Sequence, residues 1–161
     1  DRYTNLVYPG PGIPSPWNET MFPGDNKWTM TIFAGHVETG AANFGYQKTP
    51  HHEWDYAGVN TMMLSDQKDM YTEPMQLIRL TELHCIVYAV YWTYGYLVSA
   101  AGLFHTFNVF KSVDMKTGLP VRDPDYGARM DHLAKDICPL VMGYHIYPCH
   151  NYYVPDRHLF C

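Results

Sequence analysis

Residues 85–110 read CIVYAVYWTYGYLVSAAGLFHTFNVF, 26 positions without an Asp, Glu, Lys or Arg. The hydrocarbon core of a bilayer takes roughly 20 mainly apolar residues as a helix, so this run is long enough to cross one. It follows a good helix start at Thr72-Glu73-Pro74. There Thr serves as N-cap, Pro sits in the first turn, and an acid lies at the positive end of the dipole. Met75, Leu77, Ile78, Leu80, Leu83, Ile86 and Val87 then recur at helical spacing. Gly102 after Ala100-Ala101 makes a C-cap. These signals predict one transmembrane helix over about 73–102, about 29 residues or roughly 43 Å at 1.5 Å per residue.

A β reading fits the same letters. Ile86, Tyr88, Val90, Trp92, Tyr94 and Tyr96 alternate with Val87, Ala89, Tyr91, Thr93 and Gly95. Tyr, Val and Trp favour strands, and a buried hairpin in an all-β soluble domain would look alike. The helix is preferred because its start is well signalled and no turn dipeptide interrupts 85–101.

Outward from this run, the chain has 161 residues, 17% charged and 16% aromatic, with 14 Tyr and a net charge of −5. This composition excludes disorder, which needs low hydrophobicity and high charge. No Lys/Arg cluster is present, which argues against a nucleic-acid partner. Mean hydropathy is −0.28, so only the central run argues for a membrane. The chain begins at Asp1, which suggests a processed precursor.

Residues 1–71 read as an extended segment rich in Pro and Gly near its start. Within it, Asn18-Glu19-Thr20 fits an N-glycosylation sequon, and 28–37 (WTMTIFAGHV) suggest a strand. Residues 72–110 hold the transmembrane helix and its exit. Residues 111–161 comprise a polar loop to 128, a short second helix over 129–138 ended by Pro139, and a tail rich in Cys and His.

Several clusters could carry chemistry. His51-His52-Glu53-Trp54-Asp55 packs four potential ligands into five residues, but extended neighbours point to opposite faces. A solvated polar turn is the simpler reading. His145, Cys149, His150 and His158, with Met142 nearby and Cys161 beyond, offer copper-type ligands without a copper-site order. One disulfide among Cys138, Cys149 and Cys161 plus surface imidazoles accounts for them better, and Cys85 reads as a buried small hydrophobe. No GxSxG, GxGxxG or GxxxxGK[ST] occurs. Glu82 stands at the mouth of the apolar run, where a carboxylate is expensive without a partner. His84 and His105 bracket the run.

Arg79, Glu82, Gly95-Tyr96-Leu97-Val98 and Ala101-Gly102 fall at gapless spacing, preceded by Trp54-Asp55-Tyr56-Ala57-Gly58 and Ser65-Asp66-Gln67. In this pattern residues 54–104 resemble the chlorophyll a/c antenna proteins of red-lineage plastids (the fucoxanthin/peridinin type). In that family His-Gly-Arg follows the Glu; here Cys85, Ile86 and Val87 stand in those places. The resemblance implies chlorophyll and carotenoid as cofactors, with Glu82 as a magnesium ligand. His84 and His105 are the further pigment-binding candidates. Lys68 and Arg79 precede the run while Lys111, Lys116, Arg122 and Arg129 follow it. The positive-inside rule then places the C-terminal side in the stroma or matrix.

The expectation is therefore a mainly α membrane protein. It would be a non-catalytic subunit docked on larger subunits of a photosynthetic complex in the thylakoid bilayer. The alternatives are a secreted or surface β-rich binding module with a glycan at Asn18 and a disulfide, and an accessory subunit of a respiratory complex in the mitochondrial inner membrane.

Overall fold

The computed structural model describes residues 1–16, 18, 20–54, 56, 62–68, 74–81, 86–102, 108–138, 151–153 and 158–160. Among these residues every regular element is a strand except one 3-10 turn, Pro124–Tyr126. β1 (Leu6–Val7), β2 (Thr31–His36) and β3 (Ala42–Gln47) make an antiparallel sheet in that order. β4 (Met62–Lys68), β5 (Pro74–Thr81), β6 (Ile86–Tyr91) and β7 (Leu97–Gly102) make a second sheet, a four-stranded antiparallel meander. Two hairpin pairs follow, β8 (Phe110–Val113) with β9 (Pro120–Arg122) and β10 (Asn151–Tyr153) with β11 (His158–Phe160). Meanders of four strands are the blades from which β-propellers are built.

The transmembrane helix is overturned, and the all-β alternative describes the architecture. Within 73–102 the described residues form β5, β6, β7 and a turn, with Leu77 paired to Tyr91 and Ile86 to Gly102. Among the described residues no helix is long and apolar enough to cross a membrane. The supposed helix-starting Pro74 is instead the first residue of a strand, a position where its missing N–H is tolerated. The short helix expected over 129–138 is absent too. That segment is a turn closed by an Arg129–His132 bridge. Asn108 stitches down its end, donating from Nδ2 to Asp136 O at 2.8 Å and accepting the Cys138 N–H at Oδ1 at 2.8 Å. Part of the stretch expected to be a polar loop, 111–128, forms the β8–β9 hairpin. β2 lies inside the segment expected to form a strand.

Burial explains why the β6 part of the run carries no charge. Ile86, Tyr88, Val90 and Trp92 all turn one way from β6 and are almost completely buried, and Ala89 is buried on the other side. An unpaired ion at any of these buried positions would be costly. Those side chains join Met30, Ile32 of β2, Trp54, Tyr56, Val109 and Phe110 in one core that ties the first three sheets together. Each large apolar side chain buried in this way contributes about 1.5–3 kcal/mol.

The run also contains a turn. After β6 the chain reverses through 92–96, with Gly95 N–H donating to Tyr91 O at 2.8 Å and Tyr91 N–H to Tyr96 O at 2.9 Å. Gly95 has φ +74°, and a Cβ placed there would lie 2.3 Å from Phe44 Cδ2. Only glycine meets both demands. Asn43 Nδ2 donates to Thr93 O at 2.8 Å, and the Tyr8 hydroxyl donates to Trp92 O at 3.2 Å, so the first sheet grips this turn. Tyr94 and Tyr96 are 68% and 70% exposed at its tip.

Candidate functional site

The densest convergence of polar and aromatic groups lies where the chain leaves β3. Lys48 N–H adds one more bond, to Met30 O at 2.9 Å, before Thr49 and Pro50 break the ladder. His51 then adopts φ +48°, a left-handed conformation that His visits more readily than most residues. Its N–H donates to Asp25 O at 3.1 Å, and its Nδ1 lies 2.7 Å from Gly24 O. With the direction so fixed, alternate residues His52, Trp54 and Tyr56 gather their rings together. The His52–Trp54, His52–Tyr56 and Trp54–Tyr56 centroids lie 5.9, 5.7 and 5.7 Å apart. Phe110 of β8 meets Trp54 edge-on at 5.6 Å.

Arg122, at the end of β9, locks this loop. Its Nη1 donates to Glu53 Oε1 at 2.8 Å, its Nη2 donates to Pro50 O and His51 O, and its Cζ stands 5.2 Å from the Trp54 ring centre. His51 Nε2 approaches the same Glu53 oxygen at 3.7 Å. On the far side Trp54 Nε1–H donates to Tyr126 O at 3.1 Å, which seats the 3-10 turn on the cluster. Gly127 leaves room for Glu53, since a Cβ there would fall 2.9 Å from Oε2.

Electrostatics follow from burial. His52 is pushed down to about 3 by desolvation, then by the positive charges of Arg122 and Lys48, so it is neutral at physiological pH. Desolvation pushes Lys48 down to about 7. Burial also lowers Arg122, opposed by Glu53 and Asp25, and its guanidinium stays charged. The result is a dry aromatic wall backed by the Arg122–Glu53 ion pair.

The motif at 51–55 was thus visible in the sequence but misread. His52 and Glu53 are not a solvated turn: His52 is 3% exposed and the Glu53 side chain 11%. The i, i+2 spacing of His52, Trp54 and Tyr56 was the available signal, since such residues share a face. Lys48 and Arg122 carried no local signal; Arg122 arrives from some 70 positions away. Glu82, His84 and His105 lie outside the described residues, as do His145, Cys149, His150 and Cys161. Cys138 is half-buried and has no disulfide partner among the described residues. Among the described residues no three His, Cys, Asp or Glu side chains are placed to hold a metal ion.

No family model matches the chain. It is 63% identical, over 99% of its length, to methanol dehydrogenase [cytochrome c] subunit 1 of Methylorubrum extorquens. Among solved structures, a europium-containing methanol dehydrogenase shares 33% identity over 89% of this chain with a TM-score of 0.83. A quinohemoprotein alcohol dehydrogenase of Pseudomonas putida shares 29% identity over 97% of it with a TM-score of 0.87. The chain spans about a quarter of the length of these relatives: 25%, 25% and 23%.

These matches overturn the antenna resemblance. A gapless match at a few positions of one apolar strand and its hairpin imitated a helix signature. The identity with methanol dehydrogenase runs through nearly the whole chain. Chlorophyll and carotenoid, a thylakoid location and a bilayer-embedded docking role fall with the antenna reading, as does the respiratory accessory subunit. The homologues are an enzyme family, so the expectation of a non-catalytic protein falls too. The close homologues of this chain are methanol dehydrogenase subunits of the quinoprotein alcohol dehydrogenase family.

Proposed function

We propose that this chain forms part of a quinone-dependent alcohol dehydrogenase whose substrate is methanol or a similarly small primary alcohol, with a c-type cytochrome as electron acceptor. The observation that carries this reading is the 63% identity with methanol dehydrogenase subunit 1 across 99% of the chain. The superposition of the β-sheets on two alcohol dehydrogenases, at TM-scores of 0.83 and 0.87, supports it.

The quinone, when bound, accepts the two electrons and the hydrogen taken from the alcohol carbon. The described residues suit a place behind that group rather than against it. Trp54 is 1% exposed and Tyr56 fully buried, so neither ring offers a face for stacking. Their task is to hold the segment 52–56 rigid and dry, under the Arg122 clamp. Arg122 is neutralised by Glu53 at 2.8 Å and burial holds Lys48 at about 7, so this wall stays close to neutral. Among the described residues none is assigned a proton-transfer step.

The test is direct. The full-length protein, supplied with quinone, is assayed for alcohol-dependent reduction of an artificial electron acceptor. Turnover with methanol, falling as the alcohol lengthens, is expected. Absence of turnover with every short primary alcohol, in a preparation whose absorbance shows bound quinone, refutes the proposal.

A further inference from the structure

The His52 ring reveals its own protonation state through geometry. Its Nε2 accepts the backbone N–H of Tyr56 at 3.1 Å. A ring nitrogen that accepts carries no proton, so the imidazole is neutral and its single proton sits on Nδ1. The neighbouring charges, Arg122 and Lys48, favour the same neutral form. His52 is 3% exposed, yet Nδ1 has no protein partner among the described residues. Three residues earlier on the same loop, Thr49 is fully buried and its Oγ1 has no partner either.

A buried donor or acceptor left unmade costs about 1–3 kcal/mol. Two such atoms on one short loop share a simple remedy. A water molecule accepts from Nδ1–H and exchanges a hydrogen bond with a hydroxyl that both gives and takes, and buried waters typically make about 3 such bonds to otherwise unsatisfied groups.

We propose that His52 is a positioning residue fixed as its Nδ1–H tautomer, with Nε2 clamping the Tyr56 amide and Nδ1–H sharing one buried water with the Thr49 hydroxyl. The clamp joins residues 52 and 56 across Trp54. It complements the Arg122 clamp, which grips the Pro50 and His51 carbonyls and the Glu53 carboxylate. The inference is independent of which alcohol the enzyme oxidises.

Nitrogen-15 spectra of the full-length protein labelled at histidine test the tautomer, with the His52 signals identified by their loss in His52→Gln. The Nδ1–H pattern is expected, unchanged from neutral pH down through the ordinary histidine pKa. An Nε2–H pattern, or an imidazolium at neutral pH, overturns the proposal. A high-resolution crystal structure tests the water. Density within hydrogen-bonding distance of both Nδ1 and Thr49 Oγ1 is expected, and its loss in Thr49→Val with the tautomer unchanged. A protein or cofactor oxygen on Nδ1 overturns it. The clamp predicts a rescue pattern, because Gln can place an acceptor near the Nε2 position and the shorter Asn cannot. His52→Gln should melt above His52→Asn, and equal melting refutes the clamp. If neither variant folds, the wild-type spectrum and the Thr49→Val structure decide.

Discussion

Replacing Gly95 by Ala separates the hairpin from the helix by the sign of its effect. In a helix interior Gly→Ala stabilises by roughly 0.8–1 kcal/mol. In the hairpin the same change meets two penalties. The φ of +74° lies in the left-handed region, which costs an L-residue roughly 1–2 kcal/mol. The new Cβ would also stand 2.3, 2.7 and 2.9 Å from Phe44 Cδ2, Cγ and Cε2, so the ring or the turn must shift. Overpacking of that kind costs about 1–3 kcal/mol, which brings the expected loss to roughly 2–5 kcal/mol. Gly40→Ala is the control: φ is +69°, but nothing lies within 4 Å of its added Cβ. It should lose only the backbone share. Urea unfolding of the full-length variants measures both, read from the shift in midpoint at constant slope. Phe44→Ala placed in the Gly95→Ala background should return the steric share, giving a coupling of roughly 0.5–3 kcal/mol. A Gly95→Ala loss no larger than that of Gly40→Ala would show that Phe44 does not cover this turn. A gain in stability would refute the hairpin itself.

Arg122→Met removes the guanidinium from Glu53, Pro50 O and His51 O and leaves a buried carboxylate whose remaining ion-pair partner among the described residues is His51. Unfolding is expected to become easier by about 3–5 kcal/mol, and Arg122→Lys should restore little of it because one ammonium cannot reach all three acceptors; full rescue by Lys refutes the fork geometry. His52 gives an acid limb to stability. Below 6.5 the unfolded chain binds a proton that the folded ring refuses until about 3, so stability falls as pH drops through that window. At 1.36 kcal/mol per pH unit the full loss approaches about 5 kcal/mol, and His52→Gln should flatten this limb in pH-dependent thermal melts. Lys48 acts on the alkaline side. Between about 7 and 10.5 the unfolded chain holds a proton that the folded lysine has released, so stability rises with pH across that range. Lys48→Met should remove the rise, and a slope unchanged in that variant refutes the assignment.

What the sequence showed, and what it hid, can be traced to a few residues. The alternation Ile86, Tyr88, Val90, Trp92 was legible, and it is the face of β6 that fills the core. It lost to the helical reading because Val87, Ala89 and Tyr91, which alternate with that face, are apolar or aromatic too, so β6 shows no polar side in the sequence. An uncharged run then satisfies lipid and core equally. The decisive residue was Gly95, which reads as a helix interior unless Phe44, from another sheet, is known to lie over it. The strand at β2 was visible because Thr31, Ile32 and Phe33 are β-formers next to a clear turn. At the candidate site the His52, Trp54 and Tyr56 spacing was on view. The burial that turns it from a polar turn into a dry wall comes from Phe110, Arg122 and Tyr126, which no local pattern could supply.

The Arg122 clamp also sets a timetable for synthesis. Pro50, His51 and Glu53 leave the ribosome 72, 71 and 69 residues before the arginine that will hold them. At about 5–20 residues per second that gap lasts roughly 4–14 s. Throughout it Trp54 and Tyr56 lack the guanidinium, and for all but the last 12 residues of it they also lack the Phe110 edge. The nascent chain therefore carries an uncapped aromatic patch for several seconds, long on the timescale of hydrophobic collapse. Ribosome-associated chaperones that bind aromatic segments have their opportunity there, and slow codons between 56 and 122 would lengthen it.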